Sequence, residues 1–570
     1  MSFFDDASLA FLPSSGAGKD GKAYSIKPTT GAGDFTFSRG SNLAATRVGP
    51  TGLIEKGREN LVTQSNDLSD FTPNGLTTTP NQADPFGGNN ATLFTENSSG
   101  GNHRFYLLGV PSSSAVHTYS MYVKYNGRTR FKLVINGGNP NATFNTQTGA
   151  HITDSGNIID YKTESIGNDW HRVSFASVCS GWVGGYFVND SGQDSYTGDG
   201  TSGVVLFGAQ VEIGLAATEV IESGATTGKA GLLEDEPRFD YSGGATCPSL
   251  LLEPSRTNLF GQSEYFGSGW SLSNISPTYN HSTSPEGLQN ATLMSPTSTD
   301  AYLREMSNSF TSGNTYVASI YLKSNSGSSF DINLRLRESG GGQGVNETKT
   351  ITTEWQRFEI SLTATITGTY QFWVGGSASW QTGEDLLLWG AQMEQGSYPT
   401  SYIPNHSGTG SVTRLGDVCN SAGDSSTFND SEGVLYAEIA ALANDGVNRV
   451  ITIVNSSTTL NRVRLYYTTI DNRIIAEIRN ASGGFLMIYN GLSNATTFNK
   501  FAVKYKNNDS ALWVNGTEVL TNTSGGVPVG LNSLNFDDGS GSDDFYGKAK
   551  QVLYFPTALS DTDLATLTTL

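Results

Sequence analysis

Charge is scarce in this chain: 15% of its 570 residues are Asp, Glu, Lys or Arg, where about 25% is usual. Acids outnumber bases by 53 to 34, for a net charge of −19. The Lys and Arg residues are scattered, with no basic run. A nucleic-acid partner, which needs clustered cations to release counterions from phosphate, is therefore not expected, and bare acidic lipid is opposed on the same ground. Cysteine is nearly absent: Cys179, Cys247 and Cys419 lie far apart and form no C-x-x-C pair. A disulfide framework and a thiolate zinc site are thereby excluded, which predicts three small buried thiols in a protein folded in a reducing cytoplasm. No apolar run approaches the roughly 18 residues of a membrane span, and the opening MSFFDDASLAFLPSS puts aspartates where a signal peptide needs positive charge. Neither membrane insertion nor export by the ordinary route is expected.

The familiar enzyme motifs are missing too. Every Gly-Lys pair is followed by Asp or Ala, so there is no P-loop, and neither G-x-S-x-G nor H-E-x-x-H occurs. The six histidines, His103, His117, His151, His171, His281 and His406, are dispersed and are expected on the surface or in hydrogen bonds rather than as ligands.

What the chain has in plenty is glycine, 67 residues, together with 11% aromatics among Ser, Thr and Asn. This mixture describes short strands joined by many turns. The chain also repeats itself. LFGAQVEIG at Leu206 returns as LWGAQMEQG at Leu388; RENLVTQSN at Arg58 returns as RTNLFGQSE at Arg256. NATL occurs at Asn90 and Asn290, SMYVK at Ser120 answers SIYLK at Ser319, DWHRVSF at Asp169 answers EWQRFEI at Glu354, and WVGG stands at Trp182 and Trp373. Matches in one order at slowly drifting offsets define two copies of one domain, residues 51–225 and 250–410, with a turn-rich connector at 226–249. The alternation in SMYVK and SIYLK puts every second side chain on one face, as a half-buried antiparallel strand requires, and the strand spacing predicts a β-sandwich or jelly roll.

Residues 411–570 change character into a meander of alternating strands, with Asn515-Gly516 as a two-residue hairpin signal and Ser560 as the N-cap of one short helix. The first 50 residues are too few and too rich in Gly for a core of their own. Their apolar islands, Phe3-Phe4 and Leu9 to Leu12, call for another surface, and an anchor or assembly segment is expected there. The fold class is all-β: tandem antiparallel sandwiches of jelly-roll type, then a further sandwich.

Several stretches carry a family likeness: FTFSRGSNLAATRVGPTGLIE, the PRFDY and CPSLLLEPSRTNLF connector, GAQMEQGSYPTSYIP and the terminal YFPTALSDTDLATLT. On these the chain resembles tailed-bacteriophage virion proteins of the tail-fibre, adsorption or decoration type. Its middle copies resemble carbohydrate-binding jelly-roll modules, and its last domain, through ALWVNG and YFPTALSD, resembles laminin-G or concanavalin-type sandwiches. The resemblance implies a homo-oligomer, a trimer favoured, that assembles in the host cytoplasm, joins other virion proteins through its N-terminal segment and binds host surface glycans. A decoration or scaffold protein without glycan binding, and a glycan-degrading virion enzyme, are the alternatives; an enzyme is not expected. The first copy reads AATEVIES where the second has SYPTSYIP, so a binding face shaped by that edge would be lost from the first.

Sugar binding needs exposed flat aromatics, because the C–H face of a pyranose desolvates against a π face while its hydroxyls bond polar groups. A large aromatic kept at equivalent positions is expected in the core: Trp170 with Trp355, Trp182 with Trp373, and Trp389 where the first copy has Phe207. Trp270 and Trp513 are expected to be structural. That leaves Trp380, in the small-residue loop GGSASWQTGED, and Tyr186 and Tyr196 in the corresponding region of the first copy, as the candidate glycan-binding residues. The repeated Glu212 and Glu394 are expected to satisfy a turn or face solvent. No cofactor is expected, calcium excepted: Asp537, Asp538, Asp543 and Asp544 form one acidic cluster, and Asp190, Asp194 and Asp199 another, of the oxygen-rich kind that calcium uses, although neither has EF-hand spacing.

Overall fold

The computed structural model describes the chain except residues 1–2, 15–17, 41–42, 136–138 and 409, and the side chains at 306 and 307. It is all-β: among the described residues only Phe3–Asp6 and Asp561–Thr568 are α-helical. The chain divides into two compact units, one made of Met1–Glu55, Glu234–Arg256 and Thr413–Leu570, the other of Lys56–Leu233 and Thr257–Val412.

The second of these units holds the two repeated domains, each a sandwich of two antiparallel sheets. In the first copy one sheet runs, in spatial order, His151–Ser155, Asn141–Asn145, Arg130–Ile135, Trp182–Val188, Arg104–Leu108 and Thr72–Asn74. In the second copy the corresponding sheet runs Trp270–Ser273, Tyr302–Phe310, Gly368–Gly375, Phe330–Glu338 and Gly344–Ile351. Alternate side chains from both sheets fill each core: Phe94, Phe105, Phe131, Leu133 and Tyr119 in the first copy, Ile320, Leu388, Leu334 and Phe372 in the second, where Phe260 and Trp380 join them from loops.

The repeated phrase is a polar clasp at the point where each sandwich closes. Asn60 Nδ2 donates to the carbonyls of Ala209 and Ile221, and its Oδ1 accepts from the amides of Val62 and Val211. Asn258 makes the same four bonds to Ala391, Ile403, Phe260 and Met393. Gln210 Nε2 donates to Glu212 at 2.6 Å, and Glu212 also takes the Thr218 amide at 2.9 Å. Gln392, Glu394 and Thr400 repeat this at 2.6 and 2.9 Å. These groups are buried, so each unmade bond would leave a desolvated polar atom. Glu212 and Glu394 thus satisfy a turn, and the AATEVIES edge keeps the clasp that SYPTSYIP makes. The Gly in each phrase, Gly208 and Gly390, has φ +61° and +64° at a register shift in the ladder, a β-bulge where a side chain would be strained.

The other unit is a sandwich whose larger sheet includes Glu432–Ala441, Asn499–Lys506, Ser510–Val514, Thr517–Asn522 and Gly547–Phe555. The expected turn is there, with Asn515 and Gly516 at φ 48° and 86°, and Ser560 caps the final helix by accepting from the Asp563 amide. Two segments gain a place in the fold. The N-terminal segment does not wait for a foreign surface: Leu9–Phe11 pairs antiparallel with Gly547–Phe555, placing Leu9 opposite Tyr554, and Leu9, Phe11, Phe35 and Phe37 lie in the core. Nor is 226–249 a free connector: Gly228–Ala230 pairs with Arg58–Asn60, while Arg238–Asp240 and Ser249–Leu252 extend the sheet through Gly547–Phe555. Buried beside them, Arg39 meets Asp417 at 3.2 Å, Arg414 meets Glu253 at 2.7 Å, and Arg238 touches both carboxylates. Cys179 and Cys419 are buried as expected, but Cys247 is exposed, because its turn adds no core side chain.

Candidate functional site

Trp182 and Trp373 do not lie in the core. Val183 and Val374, which follow them, are fully buried, so strand alternation turns each indole to the outer face of its sheet, where it is partly exposed. The glycines of WVGG explain why the motif is repeated around them. A Cβ on Gly184 would lie 2.1 Å from the Phe105 carbonyl oxygen, and Gly375 and Gly376 have φ +85° and +82°. One four-residue motif therefore holds glycine positions that a side chain would strain or crowd and, next to them, an outward-facing indole.

A tyrosine stands beside each indole. Tyr106 lies opposite Gly184 and Tyr302 opposite Gly375 in the neighbouring strand. The ring centroids are 5.8 Å apart for Tyr106 and Trp182 and 4.6 Å for Tyr302 and Trp373. Polar residues border both pairs. Thr72 is paired with Tyr106 and Asn74 with Arg104 in the first copy; Ser273 is paired with Tyr302 and Ser271 with Arg304 in the second. Gln371 accepts from Trp373 Nε1 at 3.1 Å. An aromatic platform edged by amides and hydroxyls suits a pyranose, whose C–H face is apolar and whose rim is not.

The cations differ between the copies. In the first, Arg104 lies 5.4 Å from the Tyr106 ring and 5.6 Å from that of Tyr186, and its Nη1 donates to the Tyr186 hydroxyl at 2.8 Å. In the second, Arg304, Arg335 and Arg337 lie 4.9, 5.6 and 5.9 Å from the Trp373 ring.

The residues singled out from sequence fall elsewhere. Trp380 is fully buried in the second core, its Nε1 donating to the Glu384 carbonyl at 2.7 Å; the small residues around it let the loop fold the indole inward. Tyr186 is 6% exposed and held by Arg104. Tyr196 is partly buried, donates to Glu96 at 2.6 Å and packs 4.7 Å from His103, so its hydroxyl is committed to the protein. The three do not form one site. Of the aromatics expected inside, Trp170, Trp270, Trp389 and Trp513 are buried, whereas Trp355 is partly exposed and donates to the Thr283 carbonyl. The sequence signal that could have found the face was the strand alternation through WVGG, which sets Trp against Val.

The acidic residues bond to protein donors. Asp537 accepts from the Gly539 amide and from Asn420, Asp538 from Ser540, and Asp544 from the Tyr546 hydroxyl. Burial raises the pKa of Asp537 and Asp544. In the other cluster Asp190 accepts from Thr129, Asp194 pairs with Lys132, and Asp199 accepts from Thr201 and Ser202. Among the described residues no group of three or more His, Cys, Asp or Glu is placed to hold a metal ion.

Fold and face together define an all-β protein of serial antiparallel sandwiches that presents an aromatic patch on each of two repeated domains. No family model matches the chain, and no curated protein does. Among solved structures it is similar to the CBM40 domain of the Ruminococcus gnavus IT-sialidase bound to α2,3 sialyllactose, at 16% identity over 25% of this chain and 84% of that one, TM-score 0.22. It is also similar to the CBM22 tandem domain of Paenibacillus barcinonensis Xyn10C, at 11% identity over 63% of this chain and 100% of that one, TM-score 0.20. At these identities and scores the likenesses assign no function.

Proposed function

We propose that the protein binds glycans through the outer sheet faces of its two repeated sandwiches, at Tyr106–Trp182 and Tyr302–Trp373. The observation that carries this is the repetition: both copies hold a tyrosine and a tryptophan in contact on the same outward face, 5.8 and 4.6 Å apart. A stacked sugar that buries about 100 Å² of apolar surface gains about 2.5 kcal/mol, a dissociation constant on the order of 10 mM, and one or two hydrogen bonds worth about 1 kcal/mol each net bring it near millimolar. Two linked sites, multiplied by any oligomer, raise avidity by a factor of roughly 10²–10⁴ where both engage one surface. The sequence resemblance extends this reading to a phage virion adhesin, self-associated and carried on the particle, that attaches to host surface glycans and needs no catalytic group. The test is a glycan array with the intact protein, Trp182→Ala, Trp373→Ala and the double variant. The double variant is expected to lose the signal and each single variant to weaken it; full binding by a folded double variant would overturn the assignment.

A further inference from the structure

We propose that the second sandwich selects an acidic sugar, one bearing a carboxylate or sulfate, and that Arg304, Arg335 and Arg337 around Trp373 receive its anionic group. This rests on the glycan-binding reading above and specifies what one of its two faces takes.

The chain carries 53 acidic residues and 34 basic ones, so an unpaired group of cations goes against its composition. Yet three guanidinium groups gather within 6 Å of one indole, and among the described residues none of the three has a carboxylate within ion-pair distance. Strand pairing enforces the crowding: Arg304 lies opposite Trp373 from one neighbouring strand and Arg335 from the other, with Arg337 two residues further along. Arg304 Nε is buried and has no hydrogen-bond partner, a donor held out of water with nothing to receive it. Arg335 donates from Nη1 to Ser377 Oγ at 2.9 Å; burial and the charge of Arg337 hold its guanidinium below the ordinary value, with Asp300 opposing. The nearby carboxylates are turned to other work: Asp300 accepts from the Ala378 amide, and Glu338 from the amides of Gly340 and Gly342. Like charges at this spacing repel, and a bound anion relieves that repulsion while meeting the guanidinium donors in charge-assisted hydrogen bonds.

The first copy is the internal comparison. Leu108 stands opposite Trp182 where Arg304 stands opposite Trp373, and it is 68% exposed. Of its neighbouring cations Lys132 is paired with Asp194 at 2.8 Å, while Arg104 donates from Nη1 to the Tyr186 hydroxyl and, like Arg304, has a buried Nε with no hydrogen-bond partner. One scaffold thus sets a leucine opposite one indole and an arginine opposite the other, where three guanidinium groups rather than none lie within 6 Å of the indole ring among the described residues. The aromatic shelf edged by Ser271, Ser273 and Gln371 favours a sugar over a flexible anionic chain.

The experiment uses the full chain carrying Trp182→Ala, so that only the second face reports. Binding is measured by calorimetry to polygalacturonate, its carboxyl-reduced form, dextran sulfate, unmodified dextran and a single-stranded oligonucleotide, at 50 and 300 mM NaCl. The proposal expects at least tenfold tighter binding to an acidic polymer than to its neutral counterpart, weakened several-fold by salt. It expects that preference to be abolished both by Arg304→Leu and by Arg335→Gln with Arg337→Gln, in variants whose unfolding midpoints are unchanged. Which acidic polymer binds separates carboxylate from sulfate. Equal binding to charged and neutral polymers, lost in Trp373→Ala, would overturn the inference and leave glycan binding intact. No Trp373-dependent binding to any polysaccharide would overturn both, and Trp373-dependent preference for the oligonucleotide would replace the sugar with nucleic acid.

Discussion

The Lys56 ammonium lies 2.8 Å from the Glu264 carboxylate and 2.9 Å from that of Glu286, although more than 200 residues of chain separate the lysine from either. All three side chains are nearly inaccessible, and Glu264 also accepts from the Tyr402 hydroxyl at 2.9 Å and from Asn290. The pair joins the entry of the first sandwich to the second. Removing one member of a buried pair leaves the other charged and unsolvated, which costs about 3–5 kcal/mol. Lys56→Ala is expected to destabilise the repeat-bearing unit by roughly that amount in urea titration. A loss under about 1 kcal/mol would mean that water reaches the carboxylates.

Acid should act first through His117. Burial lowers its pKa from 6.5 to about 4, while hydrogen bonds from its Nδ1 to the Ala115 and Cys179 carbonyls oppose the shift. A base depressed in the folded state favours the fold when neutral, so its contribution is complete above pH 6.5 and is lost as pH falls toward 4. That is about 3 kcal/mol across the window. Glu264 follows later: burial raises its pKa, but Lys56 and His406 outweigh it and hold the carboxyl well below 4.5, so its contribution fades only under that pH. Unfolding free energy measured from pH 7 to 4 should decline, and His117→Gln should flatten that decline; an unchanged slope in the variant would assign the loss to other groups.

The N-terminal segment can be tested by deleting residues 1–40. This removes Leu9, Phe11, Phe35 and Phe37 from the core and the strand paired to Gly547–Phe555. Each buried apolar side chain contributes about 2 kcal/mol, so the unit containing the C-terminal sandwich should lose its cooperative transition while the repeat-bearing unit keeps its own. A purely external assembly segment would leave both transitions in place.

Strand alternation and turn chemistry are local, and they were legible: the hairpin at Asn515-Gly516, the cap at Ser560 and the antiparallel sandwiches follow from residues a few positions apart. The repeat was legible as well, because Asn60 and Asn258 must each meet the same four backbone groups. The partner of the N-terminal segment was not, since Leu9 pairs with Tyr554 from the far end of the chain and nothing local names that strand. The outward aromatic face is hidden in the sequence for a different reason. Recurrence of Trp182 and Trp373 points to a core on sequence alone, but the glycines beside them fix the recurrence of the motif, and burial of Val183 and Val374 decides which way the indoles point.

Trp380 and Trp182 provide the contrast that separates the two readings of the aromatics. Trp380 is fully buried in the core that also holds Phe260, Leu334 and Phe372, with its Nε1 donating to the Glu384 carbonyl. Truncating it to alanine opens a large cavity, and a buried Trp→Ala change costs about 3–5 kcal/mol. Trp182 is partly exposed against Tyr106, so its removal should cost about 1 kcal/mol or less while weakening glycan binding. Thermal unfolding and array binding, measured together, should show Trp380→Ala shifting the midpoint downward with its folded fraction still binding, and Trp182→Ala doing the reverse. A stable Trp380→Ala protein that no longer binds would return the site to the loop and remove it from the sheet.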